Sequence, residues 1–229
     1  MRKVLVVDIG GTTAKLMISP RQQRQFESGP KLTPQQLVDG IRQTARDWKF
    51  DSISIGFPSV VKDGRITKEP RHLGKGWLGF NFTRALRKPT RVINDAAMQA
   101  LGSYHGGRML FLGLGTGLGA TLVWPGTVLS LELGDLPYKD EIIDGIVGKV
   151  GIERLGLAEW KRVVLFTVQR LKVAFIADYV VLGGGNRHQF DGEKLPAGVE
   201  PGDNRNAFLG GRRLWDAHAR TRDPKWTVL

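Results

Sequence analysis

The chain has 229 residues, room for one large or two ordinary domains, and its 41% hydrophobic and 24% charged residues are globular usage that can bury a core without covalent staples. Thirty-four Lys and Arg against 22 Asp and Glu leave a net charge of +12, which fits a polyanionic partner and a merely solvated basic surface equally well. The absence of cysteine excludes disulfides, thiolate chemistry and cysteine-ligated zinc, and no run approaches the about 20 apolar residues of a membrane helix.

Val4 to Val7 is an apolar run ending at Asp8 and Gly10-Gly11, a buried strand entering a tight turn. Asp8 interrupts any likeness to a secretion signal, no small-residue cleavage site follows, and a soluble cytoplasmic protein is expected. Ala14 to Ser19 reads as the returning strand, with Gly10-Gly11-Thr12-Thr13 at the hairpin tip. Thr33-Pro34-Gln35-Gln36 carries a capping box and opens a helix with Leu37, Val38, Ile41, Ala45 and Trp48 on one face. Ser52 to Phe57 is a strand closed by Pro58, Asp63-Gly64 is a hairpin turn, and Arg91 to Ile93 is a strand ending at Asn94-Asp95 before a helix from Ala96 to about Tyr104.

His105-Gly106-Gly107 reads as a junction between domains 1–104 and 105–229. After it the pattern restarts, with a strand from Met109 to Leu112, a glycine turn, and a strand from Ala120 to Trp124. Strand, glycine turn, strand therefore occurs twice. Helices are predicted from Asp140 to Val150 and from Ala158 to Val173. A strand from Tyr179 to Leu182 ends in Gly183-Gly184-Gly185, and a last helix begins near Asp203-Asn204. Gly210-Gly211 inside that helix implies close packing or ligand approach, since each glycine costs about 1 kcal/mol there against alanine.

Four motifs could carry chemistry. In Asp8 to Thr13, glycine amides and two threonine hydroxyls can meet phosphate oxygens, while a carboxylate at the strand end can hold magnesium beside them. In Gly113 to Gly119, with Gly115, Thr116 and Gly117 at its centre, a strand follows rather than a helix, which favours a nucleotide-binding hairpin over a dinucleotide-binding loop. Asp95 is placed either as a general base for a hydroxyl attacking phosphorus or as an N-cap, or as both. Glu132 and Asp135 flank a glycine, as carboxylates accepting from vicinal hydroxyls would, or simply as a polar loop. The four histidines lack metal-ligand spacing. The basic stretch from Lys62 to Arg91, with Trp77, Phe80 and Phe82 among its charges, could bind a polyanion but matches no nucleic-acid module.

Taken together, these motifs resemble the ROK family (repressors, open reading frames and sugar kinases), in particular its polyphosphate glucokinase branch. The likeness runs in order through Asp8 to Thr13, Gly56 to Val61, Gly76 to Asn81, Asn94-Asp95, Gly113 to Gly119, Glu132 to Asp135, and Gly183 to Gly185. The resemblance implies an α/β, actin-like ATPase (ribonuclease H-like) fold of two domains with a cleft between them. It implies a hexose kinase using ATP or inorganic polyphosphate, with Asp95 as base, Asn81, Asn94, Glu132, Asp135 and Ser59 at the sugar, and Asp8 serving Mg2+, through water. Gly10, Gly11, Thr12, Thr13, Gly115, Thr116 and Gly117 would hold donor phosphates, and Gly183, Gly184 and Gly185 would lie near an adenosine. A homodimer is expected, without zinc, membrane or nucleic acid. The sequence departs from the family at Ser59, where a glycine is usual, and at Asp135, where a histidine is usual; a sugar-binding protein without turnover is the alternative. On this resemblance the kinase core would begin at Arg2, and the DNA-binding module of the family's repressors is not expected ahead of it.

Overall fold

The computed structural model describes residues 2–203, 205–218 and 223–229. Strands β1 (Val4–Ile9), β2 (Thr13–Ser19) and β3 (Gln22–Glu27) form an antiparallel meander. Helix α1 (Pro34–Thr44) follows and leads to β4 (Ser52–Phe57), which lies parallel to β1. A small hairpin of β5 (Val61–Lys62) and β6 (Arg65–Ile66), then α2 (Phe82–Leu86), connect to β7 (Thr90–Asn94), parallel to β4. The first sheet thus has the order β3-β2-β1-β4-β7.

Helix α3 (Asp95–Ser103) leaves the end of β7 and delivers the chain to a second meander of β8 (Met109–Leu114), β9 (Leu118–Trp124) and β10 (Thr127–Leu131). A hairpin of β11 (Pro137–Tyr138) and β12 (Glu141–Ile142) precedes helices α4 (Ile143–Val147), α5 (Lys149–Leu155) and α6 (Leu157–Ala174). Strand β13 (Tyr179–Gly183) adds parallel to β8, and β14 (Val199–Pro201) adds parallel to β13. Helix α7 (Asn206–Arg213) and the short β15 (Thr227–Val228), parallel to β10, complete the chain. The second sheet reads β14-β13-β8-β9-β10-β15. In both sheets a three-stranded meander receives two parallel strands on the side of its first strand, so the repeat predicted from the two glycine turns is a repeat of topology.

Local chemistry explains most boundaries. Thr33 caps α1 as a capping box: Gln36 N donates to Thr33 Oγ1 (3.4 Å) and Thr33 N donates to Gln36 Oε1 (2.9 Å). Asp63 and Gly64 both have positive φ, 50° and 70°, as a two-residue hairpin turn demands. One strand was not foreseen and two expectations are corrected. Strand β3 escapes a hydrophobicity reading because only Phe26 of its six residues is apolar and partly buried. The helix predicted over Asp140 to Val150 is instead the end of a hairpin plus two short helices, broken where Gly148 adopts an extended conformation. The last helix starts at Asn206, and Asn204 lies outside the described residues.

The core has three parts. One lies between the first sheet and α1, centred on Leu5, Ile9, Leu37, Ile41 and Trp77. Another lies between the second sheet and α4 to α6, around Leu112, Val164, Trp160 and Leu182. The third joins the sheets through α3 and α7, with Val6, Ile93 and Met98 against Phe111, Val181 and Phe208. Helices α3 and α7 meet backbone to backbone. A Cβ on Gly102 would overlap the Asn206 carbonyl, and one on Gly210 would overlap that of Met98. Arg213 Nη1 closes the C-terminus of α3 by donating to the carbonyls of Leu101 (2.6 Å) and Tyr104 (2.8 Å). Helix α7 also returns to the first sheet, where Ser54 Oγ donates to Gly211 O at 2.6 Å and receives Trp215 Nε1 at 2.9 Å.

This crossing gives a test with a diagnostic sign. In an isolated helix Gly102→Ala would help by up to about 1 kcal/mol. Here it should destabilise by about 1–3 kcal/mol, because two backbones must move apart, measured as the midpoint and slope of urea unfolding.

Candidate active site

The site is built where α3 begins. Strand β7 ends at Asn94, whose Oδ1 accepts from Ala97 N (3.1 Å) while its Nδ2 donates to Ser59 O (3.3 Å). The N-cap is therefore Asn94 and not Asp95, so the cap reading of Asp95 does not hold. Asp95 spends only Oδ1 locally, accepting from Ala96 N at 2.8 Å. Its carboxylate lines a cavity of about 450 Å³. The walls take in Gly10 and Gly11 of the first glycine turn, Gly113 and Gly115 to Gly119 of the second, and Ser59, Asn94 and Glu132. Gly184, Gly185, Arg71, His72 and Asp144 also line it.

Each glycine turn is braced. Gly10 N–H donates to Thr13 O (2.9 Å) and is spent inside its own turn, while Ser28 Oγ donates to Gly10 O (2.6 Å). In the second turn, Gly115 N donates to Gly117 O (3.0 Å), and Gly115 O accepts from Asn186 Nδ2 (2.9 Å) and Lys149 N (3.1 Å). Strand β13, through Gly183-Gly184-Gly185-Asn186, is thereby tied to the turn between β8 and β9.

The predicted residues divide. The structure brings Asp95, Asn94, Glu132, Ser59, Gly10, Gly11, Gly115, Thr116, Gly117, Gly184 and Gly185 to this one cavity. Asp8 lines an adjoining space of about 380 Å³ with Lys15 and Arg205, sharing Gln99, Gly184 and Gly185 with the first. Thr12 and Thr13 are in the turn but not in the cavity wall, and Gly183 is packed within the sheet against Phe111. Ser59 Oγ donates to Lys68 O (2.8 Å), which leaves only its lone pairs for a ligand. Asp135 turns aside to Arg71. Asn81 is not brought here: its Oδ1 accepts from Arg84 N (2.9 Å) as the cap of α2, and it lines a separate, larger groove of about 580 Å³.

Asp144 and Arg71 line the cavity without having been picked out from the sequence as site residues, and Asp144 is the more deeply engaged of the two. Its Oδ1 accepts from Leu118 N at 2.7 Å, at the end of the second glycine turn. Its carboxylate fills the space where a side chain on Gly117 or Gly134 would stand, which gives those glycines a steric reason. Set among Ile142, Ile143, Ile146 and Val147, it offers the sequence only a lone polar position in an amphipathic stretch.

Loss of water dominates the electrostatics. Asp95 is partly buried with an edge on the cavity, and desolvation, then repulsion from Asp8, pushes it up to about 7. Asp8 is pushed up to about 6 by desolvation, with Lys15 opposing. Glu132 keeps an open face to solvent, yet desolvation of its inner side raises it, with Lys68 opposing. Carboxylates raised toward neutrality by burial, as Asp8 and Asp95 are, suit proton transfer. Among the described residues no group of three or more His, Asp or Glu could hold a metal by itself. Asp8 nevertheless fits magnesium, which is commonly held by one or two carboxylates together with substrate phosphates and water. No helix among the described residues is long and apolar enough to cross a membrane.

Because folded Asp95 keeps its proton up to about 7 while an unfolded aspartate releases it near 3.8, rising pH between these values favours unfolding. Asp95→Asn should therefore melt several degrees higher than the wild type at pH 8, with the gap closing toward pH 4, as measured by calorimetry across that range.

Neither a search with family models nor one against curated proteins finds a match to the chain. Solved structures do match. The inorganic polyphosphate/ATP-glucomannokinase of Arthrobacter sp. strain KM superposes with a TM-score of 0.78 at 21% identity, covering 92% of this chain and 97% of that one. A ROK family protein from Streptococcus pneumoniae TIGR4 in complex with sucrose gives 0.72 at 15% identity, covering 92% and 96%. The ROK family glucokinase of Streptomyces griseus, solved with glucose and AMPPNP, gives 0.70 at 15%, covering 91% and 97%. The chain has the mixed α/β fold of the ROK sugar kinases, an actin-like ATPase fold.

Proposed function

We propose that the protein is a sugar kinase that transfers a phosphoryl group from ATP or inorganic polyphosphate to a hydroxyl of a hexose of the glucose or mannose kind. One observation carries this reading: Asp95 has an oxygen not spent on its own helix, at the wall of a cavity bounded by two braced glycine turns. The names of the neighbouring structures, a glucomannokinase and a glucokinase, support the reaction class.

In this reading the acceptor sugar lies among Asn94, Glu132, Asp144 and Asp95. Asp95 takes the proton of the attacking hydroxyl as its oxygen bonds to phosphorus and the donor's bridging P–O bond breaks. Backbone amides of the second turn, its shape fixed by Asn186 and Lys149, face the charge that develops on the transferring group. Asp8 would hold Mg2+, which neutralises donor phosphates when bound. We further propose that the chain divides near residue 104 and that its two halves close on the ligands, excluding water that would otherwise hydrolyse the donor. The +12 net charge is compatible with a polyanionic donor.

The test offers purified protein with Mg2+ a panel of hexoses, first with ATP and then with polyphosphate, and detects sugar phosphate directly. Transfer should be seen, and Asp95→Asn should lose about 10²–10⁴-fold in turnover with sugar affinity largely kept. Unchanged turnover in that variant would reject Asp95 as the base. For the wild type, kcat/KM should climb with pH and level off above about 7, because Asp95 must be ionised to accept the proton. A profile flat from pH 5 to 8 contradicts this. A polyphosphate donor also predicts a KM that rises steeply with salt.

A further inference from the structure

Arg71 is exposed on its outer side and forms part of the cavity wall on its inner side. It comes from the loop between β6 and α2, whose base is rigid: Glu69 accepts from the amides of Gly76 (3.1 Å) and Trp77 (3.2 Å), Gly74 N donates to Leu32 O (2.9 Å), and Trp77 is buried against Phe57. From this base the guanidinium reaches two carboxylates that belong to the other half of the chain. Nη2 donates to Asp135 Oδ1 at 3.0 Å, and Nη1 to Asp144 Oδ2 at 3.4 Å. Asp144 in turn holds Leu118 N. One side chain thus links the first sheet's loop, the turn after β10 and the second glycine turn.

Stability does not account for this arrangement. Ion pairs this open to solvent contribute about 0–1 kcal/mol, and a lone pair would serve that end as well as a three-way bridge. The geometry points instead to the ligand. A guanidinium has five N–H groups in a fixed plane, and the two carboxylates engage two of them, leaving three on a side chain whose orientation is fixed from both ends. Asp95, Glu132 and Asp144 stand around the same part of the wall and lie close enough to repel one another, so a carboxylate on the sugar placed among them would meet three like charges, while the donor phosphates have the glycine turns.

We propose that Arg71 is an acceptor-positioning and specificity residue: clamped by Asp135 and Asp144, it spans the mouth of the pocket, donates to a hydroxyl oxygen of a neutral sugar, and leaves no place for a sugar acid. This rests on the kinase reading for the identity of the site, but Arg71 acts in binding and not in proton transfer. It also gives Asp135 a role: this carboxylate aims a donor at the sugar and does not touch the sugar itself.

The experiment compares wild type, Arg71→Ala and Arg71→Lys by calorimetric titration with glucose, mannose and glucuronate in the absence of donor, alongside steady-state kinetics. Arg71→Ala should weaken neutral-sugar binding on the order of tenfold or more, raise KM for the sugar with donor KM changed less than about twofold, and Arg71→Lys should recover part of the loss. Hydrogen exchange of the segment 113–118 should quicken in Arg71→Ala as Asp144 loses its outer partner. Sugar affinity equal to the wild type, exchange unchanged in that segment, or tight binding of glucuronate by the wild type would each overturn the proposal. Wild type that binds hexose but transfers no phosphate defeats the kinase reading alone and leaves this one standing; wild type that binds none of the neutral sugars overturns both.

Discussion

The contact on which the molecule depends is the crossing of α3 and α7, where Gly102 and Gly210 let two backbones touch. Helix α3 is buried between the two sheets and carries Asp95 on its first turn. Any extra side chain at the crossing would shift α3, and the carboxylate at its start would shift with it. Packing at one end of a nine-residue helix therefore sets the position of the cavity-lining carboxylate at the other.

Topology then supplies two copies of the same device. Each meander begins with a strand that runs into a glycine turn, and the turns at Gly10-Gly11 and at Gly113 to Gly119 border a common space. The two are not equivalent in their support. The first is braced by Ser28, just past the end of β3. The second is braced by Asn186, Lys149 and Asp144, contributed by three further elements. That richer bracing fixes the shape of the second turn more firmly than that of the first.

Much of this was legible in the sequence, because it rests on local signals. Thr33 to Gln36 announced a capped helix, Asp63-Gly64 a hairpin, and the two glycine runs their strands. The elements that stayed hidden lack such signals. Strand β3 is set by pairing with β2 and not by its own polar residues. The stretch over 140–150 has helical periodicity, but Gly148 and the hairpin interrupt it. At the site, Asp95, Glu132 and the glycines were found because they sit at strand ends or in turns. Asp144 and Arg71 were not, because their roles come from partners 26 and 73 residues away. Asn81 misled because an asparagine ahead of a short helix looks the same whether it caps the helix or binds a ligand.

The polar strand β3 has a consequence for how copies of this chain can meet. It forms one margin of the first sheet and presents Gln22, Gln23, Arg24 and Gln25 to solvent. At the margins of the second sheet stand β14, three residues ending in Pro201, and β15, two residues. Glutamine-rich and cationic, or too brief to template a neighbour, these borders discourage a sheet from continuing into another molecule. Along these three of the four edges of the two large sheets, a neighbouring copy would find little to pair with, and β7 is the edge that remains.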